Sequence, residues 1–391
     1  MSVTFEDVRT GHELDELEFS LNQLPPAPPT VVAVIESIAT GAPTRVMDQT
    51  AAADDVALLF DDPQQRERIR RVYQKTRIGS RHMAIDPTDP EFDAFRRQPA
   101  TIRDRMNLFY EHAAPLAVEV AGRALAGHAP EEIGQLVFVT STGFIAPGVD
   151  VALIKQLGLS PTVSRVVVNF MGCAAAMNGL RTAADYVRAH PDMKSMVVCI
   201  ELCSVNAVFA DSVNDIIISS LFGDGCGAVV IGASPVQQPL APGHVVIRDS
   251  FSRLFDDAED GIVLGVNHDG ITCDLSENLP KYILAGVDPV VTEVLADNGL
   301  RKADVDLWAI HPGGPKIIEE SVRSLGIPVE AAAPSWEVLA KFGNMLSVSL
   351  LFVLELMASQ ADSDKAVSTG VAFSFAPGVA IEGLVFDIVR G

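Results

Sequence analysis

Cysteine is scarce in this 391-residue chain: there are five, an odd number, and no two stand in a CxxC spacing. That argues against a disulfide framework and a structural zinc site, and it fits a reducing, cytoplasmic setting. Basic residues are also few, 29 against 51 acidic, for a formal net charge of -22. A mean field of that sign repels phosphates, which excludes wholesale binding to nucleic acid or an anionic membrane; any anionic ligand needs a local basic patch. Long apolar runs are missing too. The most apolar late stretch, Val348 to Ala358, is short and carries Glu355, so it reads as a buried helix and no stable membrane insertion is expected. The opening MSVTFEDVRTGHELDELEF has neither a basic nor an apolar leader region and predicts no secretory signal.

What is plentiful is apolar material, 48% of the residues. Short β-branched runs at 31–38, 136–142, 165–170, 196–202 and 227–233 alternate with helical patterns at 51–78 and 108–127. The runs are continuous rather than alternating, as strands buried on both faces are, and the order is that of an α/β protein. SPVQQPLAPG at 234–243 marks a joint, after which strands recur at 306–311, 366–375 and 380–389. The expected organisation is an N-terminal arm (1–30), a first half (31–235) and a second half (236–391) of related layered character.

Three segments carry chemistry. In VVVNFMGCAAAMNGL a buried strand meets a Gly turn and Cys173 opens an Ala-rich helix. A thiol there meets unpaired N–H groups and the positive end of the helix dipole, both favouring the nucleophilic thiolate; a small buried core cysteine is the plain alternative. In LWAIHPGGPKII, His311 ends a strand before Pro and two Gly, a composition suited to exposing an imidazole at a cavity rather than packing it. In KFGNMLSVSL, Asn344 precedes an apolar helix as a simple N-cap or as an amide donor facing the same cavity. A thiolate with two neutral donors suits acyl transfer, and it suits decarboxylation of a malonyl thioester, whose enolate oxygen needs donors.

These segments, with LFGDGCGAVVIG at 221–232, resemble in order and spacing the motifs of the type III polyketide synthases, the chalcone-synthase-like branch of the thiolase-fold condensing enzymes. The flavour is similar to the mycobacterial long-chain alkyl-pyrone synthases. The resemblance implies a five-layered αβαβα thiolase-like fold built from two related halves, working as a homodimer. It implies Cys173 as acyl carrier and His311 with Asn344 as the decarboxylation and oxyanion site. Acyl-CoA and malonyl-CoA would be the substrates, and no metal or redox cofactor is implied. Phe222 falls at the family's aromatic gatekeeper; a second gatekeeper position is Cys273 here, and the C-terminal glycine-rich loop reads Ser374 to Gly378, SFAPG. Thr142, Ala146, Cys203 and Cys273 are expected to line a pocket with room for a long alkyl chain.

Residues 66–81 gather seven of the 29 basic residues. Arg68, Arg71 and Lys75 share a helix face and read as an anion trap for the phosphates of coenzyme A, matching the resembled family's contacts. Three other readings stand beside this one. A ketoacyl synthase III-like condensing enzyme uses the same Cys, His and Asn. A cysteine hydrolase shares the Cys-His-Asn order, but its nucleophile would not sit mid-chain. A non-catalytic acyl-CoA or lipid-binding protein has no need of all three intact residues.

Overall fold

In the computed structural model the described residues are 30–90, 100–207, 213–267, 270–360 and 365–390. The expected N-terminal arm lies, up to residue 29, outside them. Val31–Gly391 form one compact unit. The first half runs β1 (Val31–Gly41), β2 (Val46–Asp48), α1 (Gln49–Leu58), α2 (Pro63–Gln74), β3 (Ser80–His82), α3 (Ile102–Leu125) and β4 (Ile133–Thr140). It continues with α4 (Val149–Leu157), β5 (Ser164–Asn169), α5 (Ala175–Ala189), β6 (Lys194–Leu202), α6 (Val213–Leu221) and β7 (Asp224–Pro235). The second half runs β8 (Val245–Leu254), β9 (Ile262–Val266), β10 (Ile271–Leu275), α7 (Leu279–Asp297), β11 (Leu307–Ile310) and α8 (Pro315–Leu325). It ends with α9 (Ala333–Phe342), α10 (Ser349–Ser359), β12 (Val367–Ala376) and β13 (Ala380–Val389).

The continuous apolar runs do become strands with two buried faces. Val137 and Val139 of β4, with Val197 and Cys199 of β6, pack on α5, while Leu136, Phe138, Met196 and Val198 pack on α3 and α4. In the second half Ala309, Ala372, Leu384 and Phe386 turn to the same central cluster, which holds α10. Trp308, Ile310, Val371, Phe373 and Ile381 turn outward to α7 and α8. The period of two along each strand therefore sets five layers: α3/α4, strands, α5/α10, strands, α7/α8. Nine of the described strands share one sheet, in the order β11-β12-β13-β8-β1-β7-β6-β4-β5.

The helical pattern over 51–78 divides in two because Asp61-Asp62-Pro63 interrupts it. Asp62 accepts from the Gln64 N–H at 3.0 Å and Pro63 takes the first position of α2. Val348 to Ala358 is a buried helix, and no helix among the described residues is long and apolar enough to cross a membrane.

Candidate active site

The nucleophile loop is held by its backbone. After β5, Phe170 and Gly172 adopt positive φ (59° and 56°), and a single 3-10 turn, Gly172–Ala174, presents Cys173 just ahead of α5. The Gly172 N–H donates to Ser141 Oγ at 3.0 Å, and a side chain at Gly172 would meet Pro377 of the SFAPG turn at 3.3 Å. Small residues here are thus required by close approach.

His311 follows β11, its N–H bonded to Phe373 O at 3.0 Å, and its ring lies against Gly313, where an added Cβ would fall 3.0 Å from the imidazole. Asn344 enters from the turn after α9. Its N–H donates to Leu221 O at 2.8 Å, and its own carbonyl accepts from Gly223 at 2.9 Å. This bridge ties the asparagine to the gatekeeper segment. It needs Gly223 and Gly343, whose Cβ atoms would stand 2.4 Å from Phe342 O and 2.6 Å from Leu221 O. Asn344 is not the N-cap of α10, which starts at Ser349; its Oδ1 accepts from Leu346 N–H at 2.9 Å and holds the turn that leads there. Nδ2 donates to Gly313 O at 3.2 Å and lies 3.9 Å from Cys173 Sγ.

Cys173, His311 and Asn344 line one cavity of about 590 Å³. Both ring nitrogens of His311 are buried and without a hydrogen-bond partner among the described residues. Burial holds the imidazole neutral, its pKa lowered to about 3 against the smaller, opposing influence of the nearby Asn344 amide. Burial also pushes the Cys173 thiol up, with further repulsion from Cys273 and relief from Asn344. Desolvation thus opposes the helix end expected to favour the thiolate, and both shifts favour the uncharged forms.

A second cavity, about 400 Å³, adjoins the first. Phe222, Leu264, Cys273 and Leu346 line both. Thr142 and Cys203 line only the second. Ala146 lines neither; it sits on an exposed turn after β4, which corrects its expected place in the pocket wall. At its near end the second cavity borders a buried carboxylate that the sequence reading passed over. Glu201 accepts from the Ser141 N–H (2.9 Å), Thr142 Oγ1 (2.8 Å) and Ser347 Oγ (2.6 Å), and burial raises its pKa to about 7. A glutamate inside the apolar run MVVCIEL was the available signal.

The basic cluster divides. Arg81 is fully buried, donating to Gln49 Oε1 (2.8 Å), Ser219 O (2.6 Å) and Phe222 O (2.8 Å), so it caps the end of α6 and fixes the gatekeeper backbone. Arg68 and Arg71 are exposed on α2 and outside both cavities, Arg71 paired with Glu67 at 3.2 Å. Arg70 pairs with Asp54 at 2.7 Å. Lys75, just past α2, lines the cavity of Cys173. No group of residues suited to hold a metal occurs among the described residues.

A nucleophile, a neutral imidazole and an amide converging on one cavity between two halves of a layered α/β fold define a thiolase-fold condensing enzyme. Residues 28–235 match the family described as chalcone and stilbene synthases, N-terminal domain, and residues 247–390 match the corresponding C-terminal domain. The chain belongs to this family, the type III polyketide synthases, which are decarboxylating, condensing acyltransferases. It is 72% identical over 375 residues, 95% of each chain, to the alpha-pyrone synthesis polyketide synthase-like Pks18 of Mycobacterium tuberculosis. Among solved structures it is similar to PKS-I from the brown alga Ectocarpus siliculosus, at 39% identity and TM-score 0.86, covering 92% of this chain and 99% of that one. The C-terminal type III polyketide synthase domain of Steely1 from Dictyostelium is similar at 30% identity and TM-score 0.85, with the same coverage.

Proposed function

We propose that this enzyme extends a long-chain acyl-CoA with malonyl-CoA and releases an alkyl α-pyrone. The carrying observation is the meeting of Cys173, His311 and Asn344 on one cavity, with an imidazole that has two unpaired nitrogens and no charge. The uncharged thiol gives up its proton to His311 as sulfur attacks the acyl thioester, and coenzyme A leaves with that proton. Malonyl-CoA then loses carbon dioxide while the His311 and Asn344 N–H groups donate to the forming enolate oxygen. The enolate carbon attacks the acyl-Cys173 carbonyl and expels the Cys173 thiolate, leaving a β-ketoacyl-CoA that reloads Cys173 for the next extension. The finished poly-β-ketone closes when an enol oxygen attacks its thioester carbonyl and the thiol departs. No step asks for a metal or a redox cofactor.

The long starter is supported by the second cavity, which Thr142, Cys203 and Cys273 leave open beside Phe222. Each methylene buried there is worth about 0.8 kcal/mol, so eight contribute up to ~6 kcal/mol before ordering costs. Pks18 is named for alpha-pyrone synthesis, which supports the product class. A homodimer is supported by β5, an edge strand paired on one side only, which carries exposed Val167 and has exposed Phe144 edge-on to Phe170 at its end. A second copy of this edge would cover both. Mass spectrometry of products from acyl-CoA starters of graded length with isotopically labelled malonyl-CoA tests the reading. Labelled α-pyrones from long starters are expected; turnover of short or aromatic starters alone would refute the long-chain part.

A further inference from the structure

The mouth of the Cys173 cavity carries three cations, Lys75, Arg77 and Lys316, and two carboxylates, Glu277 and Glu319. Two of the cations converge on one carboxylate. Arg77 Nη2 lies 2.8 Å from Glu319 Oε1, and Lys316 Nζ lies 3.0 Å from Glu319 Oε2. Arg77 comes from the turn between α2 and β3, whereas Lys316 and Glu319 stand on the first turn and a half of α8, so the contact spans the opening.

Arg77 is also fixed by other means. Its φ is 59°, a left-handed backbone that a non-glycine residue adopts at some cost, and its guanidinium lies 4.5 Å above the Trp336 ring. Lys75 has no ion-pair partner among the described residues. Glu319 is the more sheltered member of the trio, its side chain 28% exposed against 57% for Arg77 and 69% for Lys316.

We infer that Glu319 is an intramolecular competitor for the phosphates of coenzyme A: in the free enzyme it occupies Arg77 and Lys316, and it yields them when a thioester docks. The inference rests on the reading that the substrates are coenzyme A thioesters. A diphosphate brings more negative charge and more acceptor oxygens than one carboxylate, so it can displace Glu319 from both cations. When the spent coenzyme A leaves, the carboxylate recaptures them. The device sets a limit on how tightly the handle is held, which an enzyme needs when it must release one coenzyme A per loading and extension step. Because all three groups are part-exposed, their interactions are salt-sensitive and individually small.

Calorimetric titration of wild type, Glu319→Gln, Lys316→Gln and Arg77→Gln with coenzyme A and with pantetheine tests this. Glu319→Gln should bind coenzyme A about threefold to tenfold more tightly, the scale of one or two exposed charge pairs. Lys316→Gln and Arg77→Gln should bind it about threefold more weakly, and all four proteins should bind pantetheine alike. In an Arg77→Gln/Lys316→Gln background, adding Glu319→Gln should bring no gain. Unchanged or weaker coenzyme A binding by Glu319→Gln overturns the inference, as does an equal gain for pantetheine or a gain that survives loss of both cations. A wild-type protein with no affinity for coenzyme A would remove the parent reading as well, a result distinct from the others.

Discussion

The two cavities that meet at Phe222 and Cys273 are lined by similar kinds of residue yet behave as opposites. Around Cys173 the polar groups are left open: both nitrogens of His311 lack partners, and the Asn344 amide lies within reach of the thiol. In the second cavity most of the polar side chains are spent on one another, with Asn206 Oδ1 an exception among the described residues. Thr142 donates to Glu201 and accepts from the Leu202 N–H at 2.9 Å. Ser204 donates to Asp224, and Arg81 is saturated by Gln49, Ser219 and Phe222. Groups satisfied in this way leave few free donors or acceptors for an occupant. The first cavity is equipped to react and the second to contain.

The sharpest way to break this contrast is at Cys173. Cys173→Ala should abolish acyl-enzyme on intact-mass analysis, while Cys203→Ala should retain it. Asn344→Ala should slow decarboxylation of malonyl-CoA by about 10²–10³ and starter loading less, the usual scale for one lost oxyanion donor. Equal losses in both steps would make Asn344 a turn-holding residue and nothing more. Next in size is the containing cavity: Cys273→Phe should lower turnover of long starters by about 10²-fold or more while short starters persist, following the methylene scale. Competition between long and short acyl-CoAs in one assay reads this directly.

A third test uses the opposite protonation habits of the two regions. His311 titrates near 3 in the fold against 6.5 when free, so below 6.5 the unfolded chain takes up a proton that the folded one refuses. Its contribution is present above 6.5 and is lost as pH falls toward 3. Glu201 titrates near 7 against 4.5, so its contribution is present below 4.5 and is lost as pH rises through 7. Thermal melts at pH 5 and pH 8 should show Glu201→Gln gaining on wild type at the higher pH, by up to about 3 kcal/mol. A gap that does not move with pH would mean that Glu201 is ionised throughout. The smallest effect is expected on α2: Arg68→Gln and Arg71→Gln should change KM for coenzyme A thioesters less than about twofold at physiological salt.

Much of the reactive cavity was legible in the sequence because its parts are local events. A strand end, a glycine turn and a reactive side chain fall within a few residues at Cys173, His311 and Asn344, and each turn leaves its signature in the chain. The strands were legible for a similar reason, since burial on both faces writes a continuous apolar run. The basic cluster at 66–81 was legible only as a cluster because partners decide what each cation does. Asp54 and Glu319 lie 16 and 242 residues from the arginines they pair with, and nothing in a run of arginines marks Arg81 as the one that turns inward. Ala146 failed differently: a small residue near a motif says nothing about which way its turn faces. The β9–β10 hairpin, which brings Cys273 and Leu264 to the seam between the cavities, was hidden in a stretch with no clear alternation.

The place of β1 has a consequence for how the chain is made. It precedes every other described strand in the chain, yet it pairs along its length with β7, from Val31 against Pro235 to Gly41 against Cys226, and then touches β8. It must wait through about two hundred residues of synthesis for its main partner, with an apolar edge open to other chains. Once settled, it joins the two halves of the sheet, so a break in the 236–244 linker would not yield two independent proteins. Residues 31–235 expressed alone would lack the β8 neighbour and the α10 packing of the central layer, and are expected to aggregate unless residues 236–391 are supplied together with them.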